Sequence, residues 1–248
     1  MSKKPQFVIG KDNRQIAYHK TPGKSPTVIF CGGYMSDMEG TKALFLEEVC
    51  IKLGLAYVRF DYSGHGASSE KFVEGTIGTW TEDALSVIDQ ITEGSIIIIG
   101  SSMGGWIGLL AALARRERIK AFIGIAAAPD FTKELMWDKY SKTIRETLKK
   151  EGVYFEPSDY GDEPYQVTYE LIKEGESHLL LNNPIDLNCP VRLFHGLKDQ
   201  DVPSEYSSRI ADRVASDDVI ISYNKSGDHR LSTDEDLRRL EQALIEVS

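Results

Sequence analysis

The sequence predicts an α/β fold, a mostly parallel central sheet with helices on both faces, and three observations predict it. Short β-branched runs alternate with amphipathic stretches of about a dozen residues, the pattern of βαβ units. The runs Ser95–Gly100 and Lys120–Ile125 are almost wholly apolar, as strands buried on both faces must be. At 248 residues the chain buries a large core without disulfides or metals, and it suits one domain, 1–248, better than two.

Each element has its own signal. Gln6–Ile9 and Gln15–Tyr18 flank the turn-prone Gly10–Arg14 and read as a hairpin. Thr27–Cys31 is a β-rich run ending in Gly32-Gly33. Thr41–Lys52 spaces Leu44, Phe45, Val49 and Ile51 as an amphipathic helix stopped by Gly54. Ala56–Phe60 reads as a strand, Thr81–Thr92 as a helix, Ser95–Gly100 as a strand, Gly104–Arg115 as a helix and Lys120–Ile125 as a strand.

Between Asp130 and Asn188 the alternation breaks. The stretch is helix-like at Lys133–Lys150 and Gln166–Glu174 and loop-like around Glu156–Pro164. It carries Phe131, Trp137, Tyr140, Tyr154, Phe155, Tyr160, Tyr165 and Tyr169. Aromatics this dense outside the sheet pattern suggest a small helical cap insertion, approximately 130–188, with a buried underside. Plain packing of an insertion onto the core is the other reading. The sheet resumes at Val191–His195 and Val219–Tyr223, and a helix over Thr233–Val247 closes the chain.

Composition excludes several functions. Lys+Arg 29 against Asp+Glu 38 give a net charge of −9, with no basic patch to hold a phosphate backbone, so nucleic acid is not an expected partner. The longest apolar runs, such as Ile96–Ile99, are too short to span a bilayer, so no stable membrane insertion is expected. Cys31, Cys50 and Cys189 are odd in number and lack CxxC spacing, so neither a disulfide framework nor a zinc cluster follows. The start Met1-Ser2-Lys3-Lys4-Pro5 reads as neither a signal nor a transit peptide. A reducing, cytoplasmic setting is the expectation.

The sharpest chemical signal is Gly100-Ser101-Ser102-Met103-Gly104, between a buried strand and a Gly-rich helix start. In a G-x-S-x-G elbow the turn pushes the central serine hydroxyl outward, and side chains two positions either side would collide. Ser102 is therefore the candidate nucleophile and Ser101 a buried neighbour. A serine hydroxyl needs a general base. His229, in Lys225-Ser226-Gly227-Asp228-His229 after the last strand signal, reaches the carboxyl ends of the strands. His19, His65, His178 and His195 are given structural or surface roles, His195 that of shaping a turn. Asp199, in the segment after His195, is the candidate acid that fixes the imidazole tautomer, with Asp201 and Asp228 as rivals. The order Ser102, Asp199, His229 is that of the α/β-hydrolase template. Two backbone donors complete an oxyanion hole: Met103 N–H, and Tyr34 N–H from Gly32-Gly33-Tyr34-Met35-Ser36.

Together these residues resemble the α/β-hydrolase superfamily over nearly the whole chain, as does the loop Asp61-Tyr62-Ser63-Gly64-His65-Gly66-Ala67-Ser68. Gly40-Thr41-Lys42-Ala43, Arg59-Phe60-Asp61-Tyr62-Ser63-Gly64, Gly100-Ser101-Ser102-Met103-Gly104-Gly105-Trp106, Asn188-Cys189-Pro190-Val191-Arg192-Leu193 and Asp228-His229-Arg230 are similar to the abhydrolase-domain-containing protein ten group. That likeness extends through Pro157-Ser158-Asp159-Tyr160 and Leu171-Ile172-Lys173-Glu174. It implies an acyl-protein thioesterase that also cleaves acyl glucuronides, with Ser102, Asp199 and His229 as its triad, and a mitochondrial setting as the alternative. Gly32 departs from the pattern, standing where related hydrolases often carry histidine or proline. The expected activity is serine-hydrolase cleavage of an ester or thioester, on a small molecule or an acylated protein, through an acyl-Ser102 intermediate. No cofactor or metal is called for. A small-substrate peptidase, a carbon–carbon bond hydrolase and a non-catalytic binding protein are the alternatives on the same fold.

Overall fold

A computed structural model describes residues 4–156 and 164–248. β1 (Gln6–Ile9) and β2 (Gln15–Thr21) form the antiparallel hairpin. There follow β3 (Lys24–Cys31), α1 (Thr41–Leu53), β4 (Leu55–Phe60), α2 (Ile77–Ile91), β5 (Ile96–Ser101), α3 (Met103–Ala114) and β6 (Ile119–Ile125). After the insertion come β9 (Val191–Gly196), α6 (Glu205–Arg213), β10 (Val219–Asn224) and α7 (Asp234–Val247). The strand order is β1-β2-β4-β3-β5-β6-β9-β10, parallel from β4 to β10. The order reverses at β3, so the crevice beyond the carboxyl ends of β3 and β5 is where such a sheet binds ligands.

The period-two rule places the core. Ile96 and Ile98 of β5 pack into one cluster with Trp80, Val87, Trp106 and Ile107 of α2 and α3. Ile97 and Ile99 point the other way, into a cluster with Leu46 and Val49 of α1 and Leu240 and Leu244 of α7. All four isoleucines are fully buried, each stabilising the fold by about 2 kcal/mol relative to exposure.

The insertion between β6 and β9 differs from its expected form. The helix expected over Lys133–Lys150 is broken. A π-helical turn covers Thr132–Trp137, where Asp138 N–H donates to Lys133 O five residues back, 2.9 Å away. A new helix, α4 (Lys142–Glu151), starts behind Ser141, whose hydroxyl accepts from Ile144 N–H. The expected helix over Gln166–Glu174 begins instead as a strand. β8 (Tyr165–Thr168) pairs antiparallel with β7 (Val153–Glu156), and α5 (Tyr169–Gly175) follows, capped by the Thr168 hydroxyl. Pairing satisfies the backbone of these short segments while Val167 is buried. Most of the expected loop at Glu156–Pro164, including Tyr160, lies outside the described residues.

The insertion has a small core of its own. Tyr140, Leu148, Val167 and Ile172 are buried together, with Trp137, Tyr154 and Tyr169 against them. Phe131 joins the main core instead, and Phe155 is exposed. The two ends of the insertion are clasped by Asp130, whose carboxylate accepts from Leu180 N–H at 2.8 Å and Leu181 N–H at 2.9 Å.

Candidate active site

The strand-to-helix turn after β5 is built by crowding. Ser102 sits at φ 54, ψ −120, a region that costs a non-glycine residue about 1–3 kcal/mol. Its own hydrogen bonds hold it there: Ser102 N–H donates to Ile125 O at 2.9 Å, and Ser102 O accepts from Gly105 N–H at 2.9 Å. The glycines of the motif are required by space. A Cβ on Gly100 would lie 2.3 Å from Gly104 O, and one on Gly104 would lie 2.1 Å from Cys31 O. Ser101 is buried beside the turn, as its place in the motif predicts.

Three side chains from distant parts of the sequence meet at this turn. His229 Nε2 lies 3.0 Å from Ser102 Oγ, and His229 Nδ1 lies 2.8 Å from Asp199 Oδ2. Nδ1 faces a carboxylate and so carries the proton, which leaves Nε2 free to accept from the serine hydroxyl. The rivals to Asp199 are placed differently. Asp201 is exposed, and Asp228 Oδ1 caps its own loop by accepting from Arg230 and Leu231 N–H, both at 3.0 Å. His195 lies against Asp199 on its core side, with Nε2 3.3 Å from Oδ2, and the other three histidines lie elsewhere. His178 pairs with Glu174, and His19 lies 3.4 Å from Glu39. His65 is buried among Tyr62, Phe72 and Trp80, where burial pushes its pKa down to about 4.

The loops that carry Asp199 and His229 are locked together through backbone. Leu197 N–H donates to Asn224 O and Lys198 N–H to Gly227 O, at 2.8 and 2.9 Å. A Cβ on Gly196 would lie 2.3 Å from Gly227 O, so only glycine permits the approach. The Asp199 carboxylate is fully enclosed. Burial by itself would raise its pKa, but hydrogen bonds from His195, His229 and Val202 N–H outweigh burial and hold it well below the usual carboxylate range.

The loop after β3 brings backbone against the serine. Gly33–Ser36 forms a turn closed by Ser36 N–H to Gly33 O at 3.2 Å, with Met35 at φ 54. A Cβ on Gly33 would lie 3.6 Å from Ser102 Cβ. Among the described residues, neither Tyr34 N–H nor Met103 N–H donates to a protein acceptor. Asp61, which sequence reasoning left unassigned, braces this loop: Oδ1 accepts from Met38 N–H at 2.7 Å and Oδ2 from Ala67 N–H at 2.8 Å. The Tyr34 ring packs edge-on against Phe72 and Phe131, and its hydroxyl donates to Gln166 O of β8 at 2.6 Å.

One group of side chains has spacing suited to a cation. Asp199, Asp201 and His229 place ligand atoms within 4.8 Å of one another. The chemistry of the set argues against that use. Asp199 Oδ1 already accepts from Asp201 and Val202 N–H, and Oδ2 from His229. Its lone pairs thus face N–H donors, an arrangement that orients an imidazole.

A doubly wound sheet with a strained serine at the end of β5 defines an α/β-hydrolase, and the chain is a serine hydrolase of ester and thioester bonds. It belongs to the family whose model, described as serine aminopeptidase, S33, matches residues 24–161. Palmitoyl-protein thioesterase ABHD10, mitochondrial, from Homo sapiens is 46% identical over 235 residues, covering 94% of this chain and 76% of that protein. Among solved structures, alpha/beta hydrolase domain-containing protein 10 from mouse superposes with a TM-score of 0.91 at 40% identity, covering 98% of each chain. A putative hydrolase from Agrobacterium vitis S4 superposes with a TM-score of 0.93 at 37% identity, covering 98% of this chain and 97% of that one. The expected cytoplasmic setting finds no support here, since the curated relatives are named mitochondrial. Among the described residues no helix is long and apolar enough to cross a membrane.

Proposed function

We propose that this chain is an acyl-protein thioesterase in which Ser102 is the nucleophile, His229 the general base and Asp199 the orienting acid. The observation that carries the reading is the unbroken run from Ser102 Oγ through the His229 ring to Asp199, 3.0 and 2.8 Å long. Ser102 Oγ attacks the acyl carbonyl while His229 Nε2 takes its proton. The oxygen gains negative charge, which the N–H groups of Met103 and Tyr34 receive. The collapse of this intermediate breaks the carbon–sulfur bond, and the thiol leaves with the proton from His229. Water, deprotonated by His229, then attacks the acyl-Ser102 ester and frees the acid. Asp199 stays ionised throughout and stabilises the imidazolium.

We read the chain as one domain, with the insertion at approximately 130–188 as a cap over the site. The rings of Phe72, Phe131 and Tyr165 pack against that of Tyr34, the residue after Gly33, and this aromatic cluster is the candidate wall for an acyl chain. Each buried methylene contributes about 0.8 kcal/mol. The thioesterase name of the human relative supports a fatty acyl thioester on a protein as the substrate. The description of the matched family favours a second reading, a peptidase acting on aminoacyl amides. Acyl thioesters of increasing chain length, matched oxygen esters and aminoacyl amides, assayed side by side, separate the two. The proposal expects kcat/KM to rise with chain length on thioesters, and Ser102→Ala to abolish both turnover and fluorophosphonate labelling. Turnover confined to amides, or wild-type activity in Ser102→Ala, overturns it.

A further inference from the structure

His195 is the one histidine that the triad leaves unused and the core fully encloses. Its Nε2 lies 2.9 Å from Val202 O and 3.3 Å from Asp199 Oδ2, both acceptors, so Nε2 carries a proton. Its Nδ1 lies 2.8 Å from the Ser207 hydroxyl of α6. The Nε2 proton points to Val202 O, the nearer acceptor, and lies close enough to Asp199 Oδ2 to be shared with it, so Oδ2 faces two imidazoles, His229 at 2.8 Å and His195 at 3.3 Å. A turn-shaping residue needs no such contact with the acid.

We infer that His195 is a positioning residue for the reaction, setting both the orientation and the basicity of Asp199 and through it those of His229, with Ser207 holding the His195 ring in register. This rests on the triad proposed above. The physical consequence has a sign. The His195 N–H draws charge from Oδ2, the oxygen that stabilises the His229 imidazolium. Without it, that oxygen holds the imidazolium more tightly and the His229 ring is less well aimed. The acid limb of the kcat/KM profile then moves to higher pH while kcat falls.

The experiment compares His195→Phe, His195→Gln and Ser207→Ala with the wild-type chain on one acyl thioester across the pH range. Asp201 on the acid loop, Asp228 and Arg230 beside His229, and Lys42, which donates to Arg230 O, are present in every variant and cancel in the comparison. His195→Phe is expected to lower kcat at least about ten-fold with little change in KM. Its acid limb is expected to rise by about half a pH unit, because a hydrogen bond to the charged carboxylate is lost. His195→Gln, which keeps an N–H donor, recovers part of the loss. Ser207→Ala shifts both quantities the same way by a smaller amount, and decides the matter if His195→Phe does not fold. An unchanged acid limb in the folded variants, with kcat falling only in proportion to folded protein, overturns the inference. Ser102→Ala and His229→Asn run alongside. If either stays active, the triad reading itself fails. If both are dead and the His195 and Ser207 variants behave as wild type, only the role of His195 fails.

Discussion

Asp199→Asn exchanges one carboxylate oxygen for an NH2 and tests the proposed relay directly. The Asp199 carboxylate accepts on both sides: from Asp201 and Val202 N–H at Oδ1, each at 2.9 Å, and from His229 at Oδ2. An asparagine has one acceptor oxygen and one NH2. The two backbone donors are fixed by the loop, so the amide oxygen turns to them and the NH2 faces the His229 ring. Nδ1 must then accept, the ring proton moves to Nε2, and Nε2 can no longer take the proton of Ser102. Loss of the correct tautomer costs about 10⁴-fold in kcat where such an acid is replaced by its amide. That is about 5.4 kcal/mol of barrier at 1.36 kcal/mol per factor of ten. The same NH2 opposes the His195 N–H, so a small loss of stability accompanies the loss of rate. The assay is thiol release from an acyl thioester at saturating substrate, with circular dichroism to confirm the fold and nitrogen NMR of the imidazole to read the tautomer. A loss of less than about ten-fold in a folded variant, or a ring still protonated at Nδ1, refutes the reasoning.

The remaining predictions concern the framework. Ser102→Gly removes the side chain from its strained φ of 54 and should raise stability by about 1 kcal/mol in urea unfolding while ending turnover; unchanged or lower stability counts against stored strain. Gly104→Ala forces a Cβ to 2.1 Å from Cys31 O and should lose at least about 3 kcal/mol, read as a lower urea midpoint, whereas a wild-type midpoint shows that the helix start can shift. His65 ties stability to acid: its unfolded imidazole gains a proton near pH 6.5 that the folded one refuses until about 4. Stability is therefore lost as pH falls through that window, by about 2 kcal/mol between about pH 8 and about pH 5. His65→Phe keeps the ring packing and should flatten that part of the pH dependence; an equally steep loss in the variant removes His65 as its source.

The sheet was legible in the sequence because burial on both faces writes itself as continuous apolar runs, and β5 and β6 lie within a residue of their expected limits. The elbow was legible because its glycines are sterically obligatory, as the contacts of Gly100 and Gly104 show. The insertion was legible only as an interruption. Lys133–Lys150 has helical composition throughout, and its break at Asp138–Ser141 depends on a five-residue hydrogen-bond turn that composition does not encode; Ser141 as a cap was the available cue. β8 was hidden because Gln166–Thr168 is too short to show alternation before the helical run begins. The place of His195 at a strand end before Gly196 suggests only a turn role, since its contact with Asp199 arises from the loop folding back over four positions. The bond from the Tyr34 hydroxyl to Gln166 O spans 132 positions and leaves no local mark.

Interlocking of the Asp199 and His229 loops at Gly196 and Gly227 has a mechanical consequence. In the roles proposed for them, Asp199 and His229 sit on loops joined by two backbone hydrogen bonds, so a shift that separates the imidazole from the serine is expected to leave the imidazole on its carboxylate. On the proposed mechanism this leaves one joint, between His229 and Ser102, and a variant or ligand that widens it is expected to switch activity off without disturbing the two loops behind it.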